Sequence, residues 1–296
     1  MKVCVIDIGG TFIKASLMNE KSEILTKWKV PAPTKSMEEM MESLYTLIDE
    51  HKDEIEGIAI SMPGKIDAVK GIAHTGGAYK FIKDMPIKDM LEEHYHLPVA
   101  VDNDGKCAAN AENWVGALKD VENGLVFVIG TGIGGGVILG NKVYRGVNFS
   151  AGELSFAFVD TNVSYKDSGM ICSKCATPGL LKMYKKHAQS EEDIDGIKFF
   201  ELANAGDESA MAALHEFGSY FAKYIFNIQG VIDIEAVAVG GGISEQPLLF
   251  EVLQEEMDAL FGSLCFLPIH EPKLLKCQYG NDANLIGAMK NFLDQQ

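Results

Sequence analysis

The chain has 296 residues, 47% apolar and 23% charged, a profile that fits one large or two ordinary globular domains and excludes disordered or fibrous structure. Its 26 basic residues against 42 acidic ones leave a net charge of −16, which argues against a broad nucleic-acid or anionic-membrane surface. Phosphate remains a candidate ligand, because backbone amides hold it locally. No apolar run approaches the roughly 18 residues of a membrane span, and the opening apolar run before Asp7 is too short for a signal peptide. The six scattered cysteines (Cys4, Cys107, Cys172, Cys175, Cys265 and Cys277) suggest reduced thiols and a cytoplasmic location.

In chain order, residues 3–8 are β-branched and stop at Gly9-Gly10, and a second apolar run at 12–18 ends in the polar stretch 19–22. This predicts a strand, a glycine turn and a second strand. After a loop at 31–36, Ser36 followed by Glu38 and Glu39 predicts a helix N-terminus, with the helix extending to about residue 52. Strands are expected at 56–62, stopped by Pro63-Gly64, and at 98–102, with helices at 87–96 and 105–118. The opening pattern then returns as a strand at 125–129, a glycine turn at 130–136 and a strand at 137–139. Two like units about half a chain apart predict two halves of similar construction. Residues 160–200 are weakly patterned. A long helix at 209–232, a strand at 236–239 ending in Gly240-Gly241-Gly242, and helices at 247–261 and 281–293 complete the chain. The alternation means α/β, with the domain change near 117–123.

Gly130, Gly132 and Gly135 fit the dinucleotide-fold spacing, but that loop must open a helix. Here 135–141 reads as a strand and a hairpin turn. No P-loop motif occurs either. What remains is a set of glycine turns, at 9–10, 130–136 and 240–242, each following an apolar strand, with backbone N–H groups that can cradle phosphate oxygens.

Asp7-Ile8-Gly9-Gly10-Thr11 with Lys14, then Asn103-Asp104, the glycines of 130–136, Ala151-Gly152-Glu153, Gly240-Gly241-Gly242-Ile243-Ser244 and the tail at 283–288 occur in the order seen in the ROK sugar kinases. The chain resembles that family over essentially its whole length. The resemblance implies an α/β, actin/hexokinase-like (ribonuclease H-like) two-domain fold whose interdomain cleft closes over ATP and a sugar. It implies an N-terminal domain over 1–118, with a phosphate loop, the sugar site and the catalytic aspartate. A C-terminal domain over 119–296 would carry the second phosphate loop and the adenosine site, its last helix packing back on the first domain. ATP and Mg²⁺ are the implied cofactors, a small sugar or disaccharide the substrate and a homodimer the assembly. Nucleic acid and membrane are not expected partners. With only six residues before Asp7, the helix-turn-helix of the family's repressor branch is not expected.

Asp104 follows the strand at 98–102, at the strand end where open α/β sheets place ligands. By spacing alone it is either a general base for a sugar hydroxyl or the cap of the helix that follows. The resemblance favours the base and implies that Asn103 hydrogen-bonds the sugar, with Gly64 and Gly77 also at the sugar site. It implies that Asp7 orients Mg²⁺ through water, that Gly9, Gly10 and Thr11 contact phosphates, and that Gly130, Thr131 and Gly132 bind the β- and γ-phosphates. Gly241 and Gly242 would take the adenosine side. Lys14 is either a countercharge to phosphate or a solvated strand residue. Glu153 resembles the family's sugar-binding glutamate, a surface glutamate being the alternative.

The sequence also departs from the family. Many ROK glucokinases and N-acetylmannosamine kinases continue Gly-Glu-x-Gly-His, whereas Phe156 stands here in place of that histidine. The family's zinc motif is missing, and Cys172 and Cys175 form a single pair where a structural zinc needs four ligands, so zinc is expected to be absent. His74-Thr75-Gly76-Gly77-Ala78-Tyr79 replaces a more polar stretch and suggests a roomier, more aromatic pocket. These departures resemble the bacterial β-glucoside kinase branch, which phosphorylates the 6-hydroxyl of the non-reducing glucose in cellobiose-like disaccharides. A monosaccharide kinase for glucose or N-acetylmannosamine and an inactive sugar sensor are the alternatives, and Phe156 is otherwise expected as a core residue.

Overall fold

The computed structural model describes residues 1–163 and 169–296. Its contacts divide the chain into two compact units. Met1–Lys119, Lys142–Gly152 and Asn281–Gln296 form unit 1, and Asp120–Asn141 with Glu153–Gly280 form unit 2. Besides the division near residue 119, the segments 142–152 and 281–296 belong to unit 1, the second of them carrying the last helix.

In unit 1, β1 (Lys2–Ile8), β2 (Phe12–Asn19), β3 (Ile24–Pro31), α1 (Met37–Asp49) and β4 (Ile58–Met62) come first. They are followed by β5 (Ile66–Asp67), β6 (Ile72–Gly76), β7 (Tyr79–Met85), α2 (Ile87–Tyr95), β8 (Val99–Asn103) and α3 (Asp104–Trp114). The main sheet has the order β3-β2-β1-β4-β8, with β1, β4 and β8 parallel, and a small sheet is formed by β5-β6-β7. Val3, Cys4, Val5 and Ile6 of β1 are all fully buried, as expected of a central strand covered on both faces. Ser36 caps α1 by accepting the Glu39 N–H, with Glu38 and Glu39 in the first turn. Met40, Met41, Leu44, Leu47 and Ile48 recur at helical spacing on its buried face.

Unit 2 opens with β9 (Gly124–Ile129) and β10 (Ile133–Leu139). After the excursion that contains β11 (Lys142–Tyr144), it resumes with α4 (Ile171–Cys175), α5 (Thr177–Ala188), α6 (Gly196–Asn204) and α7 (Glu208–Ile232). Then come β12 (Ala236–Gly241), α8 (Pro247–Ser263) and β13 (Lys273–Lys276), and α9 (Ala283–Leu293) closes the chain in unit 1. In the unit 2 sheet β10-β9-β12-β13 are neighbours in that order, and β12 is parallel to β9. Along α7, Ala210, Leu214, Phe217, Phe221 and Ile225 recur every three or four residues and form the unit's core with Phe127, Phe199, Phe200, Leu249 and Met257.

The glycine run of 130–136 is divided rather than forming one turn. Residues 130–132 make the turn, whereas Gly134, Gly135 and Gly136 lie inside β10. Gly135 sits at φ +139, where a Cβ would stand 1.9 Å from the Val126 carbonyl oxygen, so close strand approach is what requires glycine there. The weakly patterned stretch 160–200 holds α4, α5 and much of α6. No helix among the described residues is long and apolar enough to cross a membrane.

Candidate active site

The site of unit 1 lies along one edge of its sheet. Parallel register sets Asp7 opposite Ser61 and Ser61 opposite Asp102, so three polar residues share one face of β1, β4 and β8. Gly9-Gly10, Pro63-Gly64 and Asp104 follow these strands directly, at the carboxyl ends where open α/β sheets bind ligands. Asp7 is buried, and its Oδ1 accepts hydrogen bonds from Ser61 Oγ at 3.1 Å and from Asn284 Nδ2 of α9 at 3.0 Å. Lys14 Nζ stands 3.7 Å from Asp7 Oδ2. Lys14 therefore faces a carboxylate while its own side chain stays 42% exposed.

Asn103 provides the N-cap of α3, and Asp104 is the first helical residue. The Oδ1 of Asn103 accepts the Lys106 N–H at 3.1 Å, while its Nδ2 donates to Gly64 O and to Asp104 Oδ1, both at 2.9 Å. Asp104 Oδ1 also accepts the Gly105 N–H at 2.8 Å. The capping role that spacing allowed Asp104 thus belongs to Asn103, and one oxygen of the Asp104 carboxylate is oriented by two donors. Gly64 has φ +108, and a Cβ there would lie 2.1 Å from the Thr75 carbonyl oxygen. That close approach seats the β4–β5 turn against β6. Gly77, at φ +62, packs on Pro63. Tyr79 of β7 is buried and donates its hydroxyl to Gly9 O at 2.6 Å. Burial, and then the charge of Asp7, raise its pKa, so it remains a donor. Its aromatic ring supports the first glycine turn rather than offering an open aromatic surface.

The site of unit 2 is built mostly of backbone. Gly130 donates its N–H to Gly132 O at 2.9 Å, and its carbonyl accepts the Thr177 N–H at the start of α5, at 3.0 Å. Because β12 is parallel to β9 with Gly241 opposite Ile129, the turns after the two strands lie side by side. Gly241 has φ +97, and a Cβ there would be 2.0 Å from the Ile129 carbonyl oxygen. Ser244 Oγ closes that turn on Gly241 O at 2.8 Å. Glu153 is exposed, and Phe156, in a short 3₁₀ turn, is 62% exposed. Phe156 is not a core residue.

A model of the ROK family matches residues 3–295. The chain belongs to the ROK family. A β-glucoside kinase of Klebsiella pneumoniae is 30% identical over 294 residues, covering 99% of this chain and 96% of the relative. A ROK family protein of Streptococcus pneumoniae, solved in complex with sucrose, superposes with a TM-score of 0.88 at 28% identity, over 99% of this chain and 98% of that one. A ROK glucokinase of Streptomyces griseus, solved with glucose and AMPPNP, gives 0.79 at 25% identity over 98% of each chain. The α/β, two-domain, actin-like kinase fold expected from the motifs is the fold of this ROK chain.

Sequence motifs did not single out Ser61, Asn284, Asp102 or Arg145. Ser61 and Asn284 reach Asp7 across 54 and 277 residues, and Arg145 reaches Asp102 across 43. No local spacing encodes such pairs, although an aspartate inside the apolar strand at 98–102 was a visible signal of a buried partner. The Cys172/Cys175 pair divides by environment. Cys175 is fully buried, donates to the Phe217 carbonyl and has its thiol pKa pushed well up by burial, which disfavours the reactive thiolate.

Proposed function

We propose that this ROK protein is an ATP-dependent carbohydrate kinase that phosphorylates the 6-hydroxyl of a hexose unit, the non-reducing glucose of a β-glucoside such as cellobiose. The observation that carries the reading is Asp104, a carboxylate at the strand-end edge whose Oδ1 is fixed by Asn103 Nδ2 and Gly105 N–H. Phosphoryl transfer needs positioning, charge neutralisation and a proton acceptor. The sugar oxygen forms the new P–O bond, its proton passes to the Asp104 carboxylate, and the bond between the β- and γ-phosphates breaks to release ADP. Asn103, Gly64, Gly77 and Glu153 would border the sugar. Gly9, Gly10 and Thr11, and Gly130, Thr131 and Gly132, would border the phosphates, the amides of Gly10, Thr11, Thr131 and Gly132 meeting phosphate oxygens while the Gly9 and Gly130 N–H groups hold the turns through Phe12 O and Gly132 O, with Gly241 and Gly242 on the adenosine side.

Asp7 suits Mg²⁺ held through water, since it offers a hard carboxylate whose Oδ1 is already oriented by Ser61 and Asn284. The ion would offset charge on the transferring phosphoryl group. The exposed Phe156 supports a disaccharide acceptor, because an aromatic face can stack on the apolar surface of a second ring. The Klebsiella relative's name supports the same substrate class.

Coupled ADP-release assays with cellobiose, glucose and N-acetylmannosamine test the proposal. Turnover is expected to be fastest with cellobiose. Turnover confined to the monosaccharides would reject the β-glucoside assignment, and sugar binding without ADP release would favour a sensor.

A further inference from the structure

We propose that Arg145 is a positioning residue for the acceptor side of unit 1, fixing through Asp102 both the start of α3, which carries Asp104, and the loop 145–151. The inference rests on the reading of Asp104 as base. Arg145 is the only arginine in the chain, every other one of the 26 basic residues being lysine. Arginine and lysine differ in a way that bears on this position, because only the guanidinium presents a planar fork of donors.

The fork meets a carboxylate with no exposure at all. Asp102 Oδ2 accepts from Arg145 Nε at 3.0 Å and from Nη2 at 2.5 Å, and Asp102 Oδ1 accepts the Asn103 N–H at 2.9 Å. Burial works against the guanidinium charge, and the adjacent Asp102 more than offsets it, raising the Arg145 pKa. Nη2 also donates to Asn291 Oδ1 of α9 at 3.1 Å, and Asn291 reaches back to Val101 O. Links then run residue by residue toward the base. Arg145 holds Asp102, the Asp102 carboxylate fixes the Asn103 backbone, and the Asn103 side chain caps α3 while bonding Asp104 Oδ1.

The other end of Arg145 governs the return segment. Its carbonyl accepts the Ala151 N–H at 3.2 Å and closes the loop 145–151. Gly146 and Gly152 take positive φ (72° and 76°) at the two ends of that loop, immediately before Glu153. Anchoring 145 therefore fixes one end of the unit 1 loop that precedes Glu153 in the chain. A buried ion pair is weak evidence for stability, since desolvation offsets its attraction, so its value here lies in the geometry it imposes.

The test compares Arg145→Lys, the double variant Arg145→Met/Asp102→Asn, and Asp104→Asn. Lysine keeps the charge without the fork, and the double variant leaves no lone buried charge. ADP release gives kcat and KM for the best sugar of the panel, calorimetry gives the Kd of AMPPNP, and thermal melts give Tm. For both Arg145 variants, kcat/KM for sugar is expected to fall on the order of 10- to 100-fold, the cost of a base or sugar ligand slightly misplaced. Nucleotide Kd should stay within about twofold, since Arg145 bonds Asp102, Asn291 and the Val143 carbonyl and none of the glycine turns read as phosphate sites. Arg145→Lys with wild-type kinetics beside an inactive Asp104→Asn overturns this inference and leaves the base reading intact. Sugar and nucleotide parameters that fall together in step with Tm, or failure of both variants to fold, assign the pair to folding and overturn it too. An active Asp104→Asn overturns the base reading, and with it the route through Asn103.

Discussion

Units 1 and 2 reach a similar local design by different chemical means. Each places glycine turns at the ends of parallel strands, after β1 and β4 in one and after β9 and β12 in the other. Unit 1 then lines its edge with buried polar side chains, among them Asp7, Ser61, Asp102 and Asn103. In unit 2 the buried polar side chains, among the described residues, are Gln229 and Ser244, and the turns are shaped by backbone contacts of Gly130, Thr177 and Gly241. A phosphate is a uniform ligand that amide N–H groups grip without regard to side chains. A sugar hydroxyl must be selected and deprotonated, which requires oriented side chains and a carboxylate. The contrast predicts that acceptor chemistry is lost with the functional groups of unit 1, and nucleotide affinity with bulk added at the turns of unit 2.

The strongest way to break this comparison is Asp104→Asn. The amide keeps the size and much of the hydrogen bonding with Asn103 and Gly105 but cannot accept the hydroxyl proton. The turnover number is expected to fall about 10²- to 10⁴-fold, with sugar binding by calorimetry retained. A variant that keeps its turnover would show that unit 1 positions the acceptor without serving as base.

Added bulk sharpens the same contrast. Gly241→Ala places a methyl against the Ile129 carbonyl, at a backbone φ of +97°, where strain costs about 1–3 kcal/mol. AMPPNP affinity is expected to weaken by roughly tenfold, the equivalent of 1.4 kcal/mol, while sugar affinity holds. Gly287→Ala, in α9, would bring its methyl within 1.7 Å of the Cys107 carbonyl, where α3 and α9 touch backbone to backbone. Overpacking there is expected to cost about 1–3 kcal/mol, read as a Tm lower by several degrees. If Gly241→Ala instead lowers sugar affinity and leaves nucleotide binding unchanged, the division of labour is wrong.

The legible parts of the molecule were those encoded locally. Apolar runs stopped by glycine marked β1, β9 and β12, and Ser36 with Glu38 and Glu39 marked the start of α1. The cap of α3 was one residue out of reach, because Asn103 and Asp104 are both good cap residues and spacing does not separate them. The small sheet β5-β6-β7 has a strand of two residues and a mixed polar pattern, too little for a period of two to register. The return of 142–152 to unit 1 was invisible for a different reason: the contacts that hold it there, the pairing of Arg145 with Asp102 among them, are tertiary and have no sequence period.

The smallest expected effect lies in unit 2, where a side-chain pair stands beside the cysteines of α4. Lys174 Nζ bonds Asp160 Oδ2 at 3.0 Å, and the Tyr220 hydroxyl donates to the same oxygen at 3.3 Å. The Lys174 hydrogen bond, followed by that of the Asn162 N–H, holds the Asp160 carboxyl below its ordinary value. A carboxylate depressed in the folded state binds its proton more readily when unfolded. Its stabilising contribution is therefore complete above the unfolded carboxylate pKa, near 3.9, and is lost as pH falls through the lower folded value. Lys174→Met keeps the aliphatic stem and removes the charge. Its Tm is expected to lie slightly below that of the unaltered protein at pH 7, and the gap to close as pH falls through the carboxylate range. Melting curves recorded from pH 7 downward decide the matter: a gap that persists unchanged at low pH would show that Lys174 acts by packing against Tyr220, whose ring centroid is 4.7 Å from its Nζ, and not through Asp160.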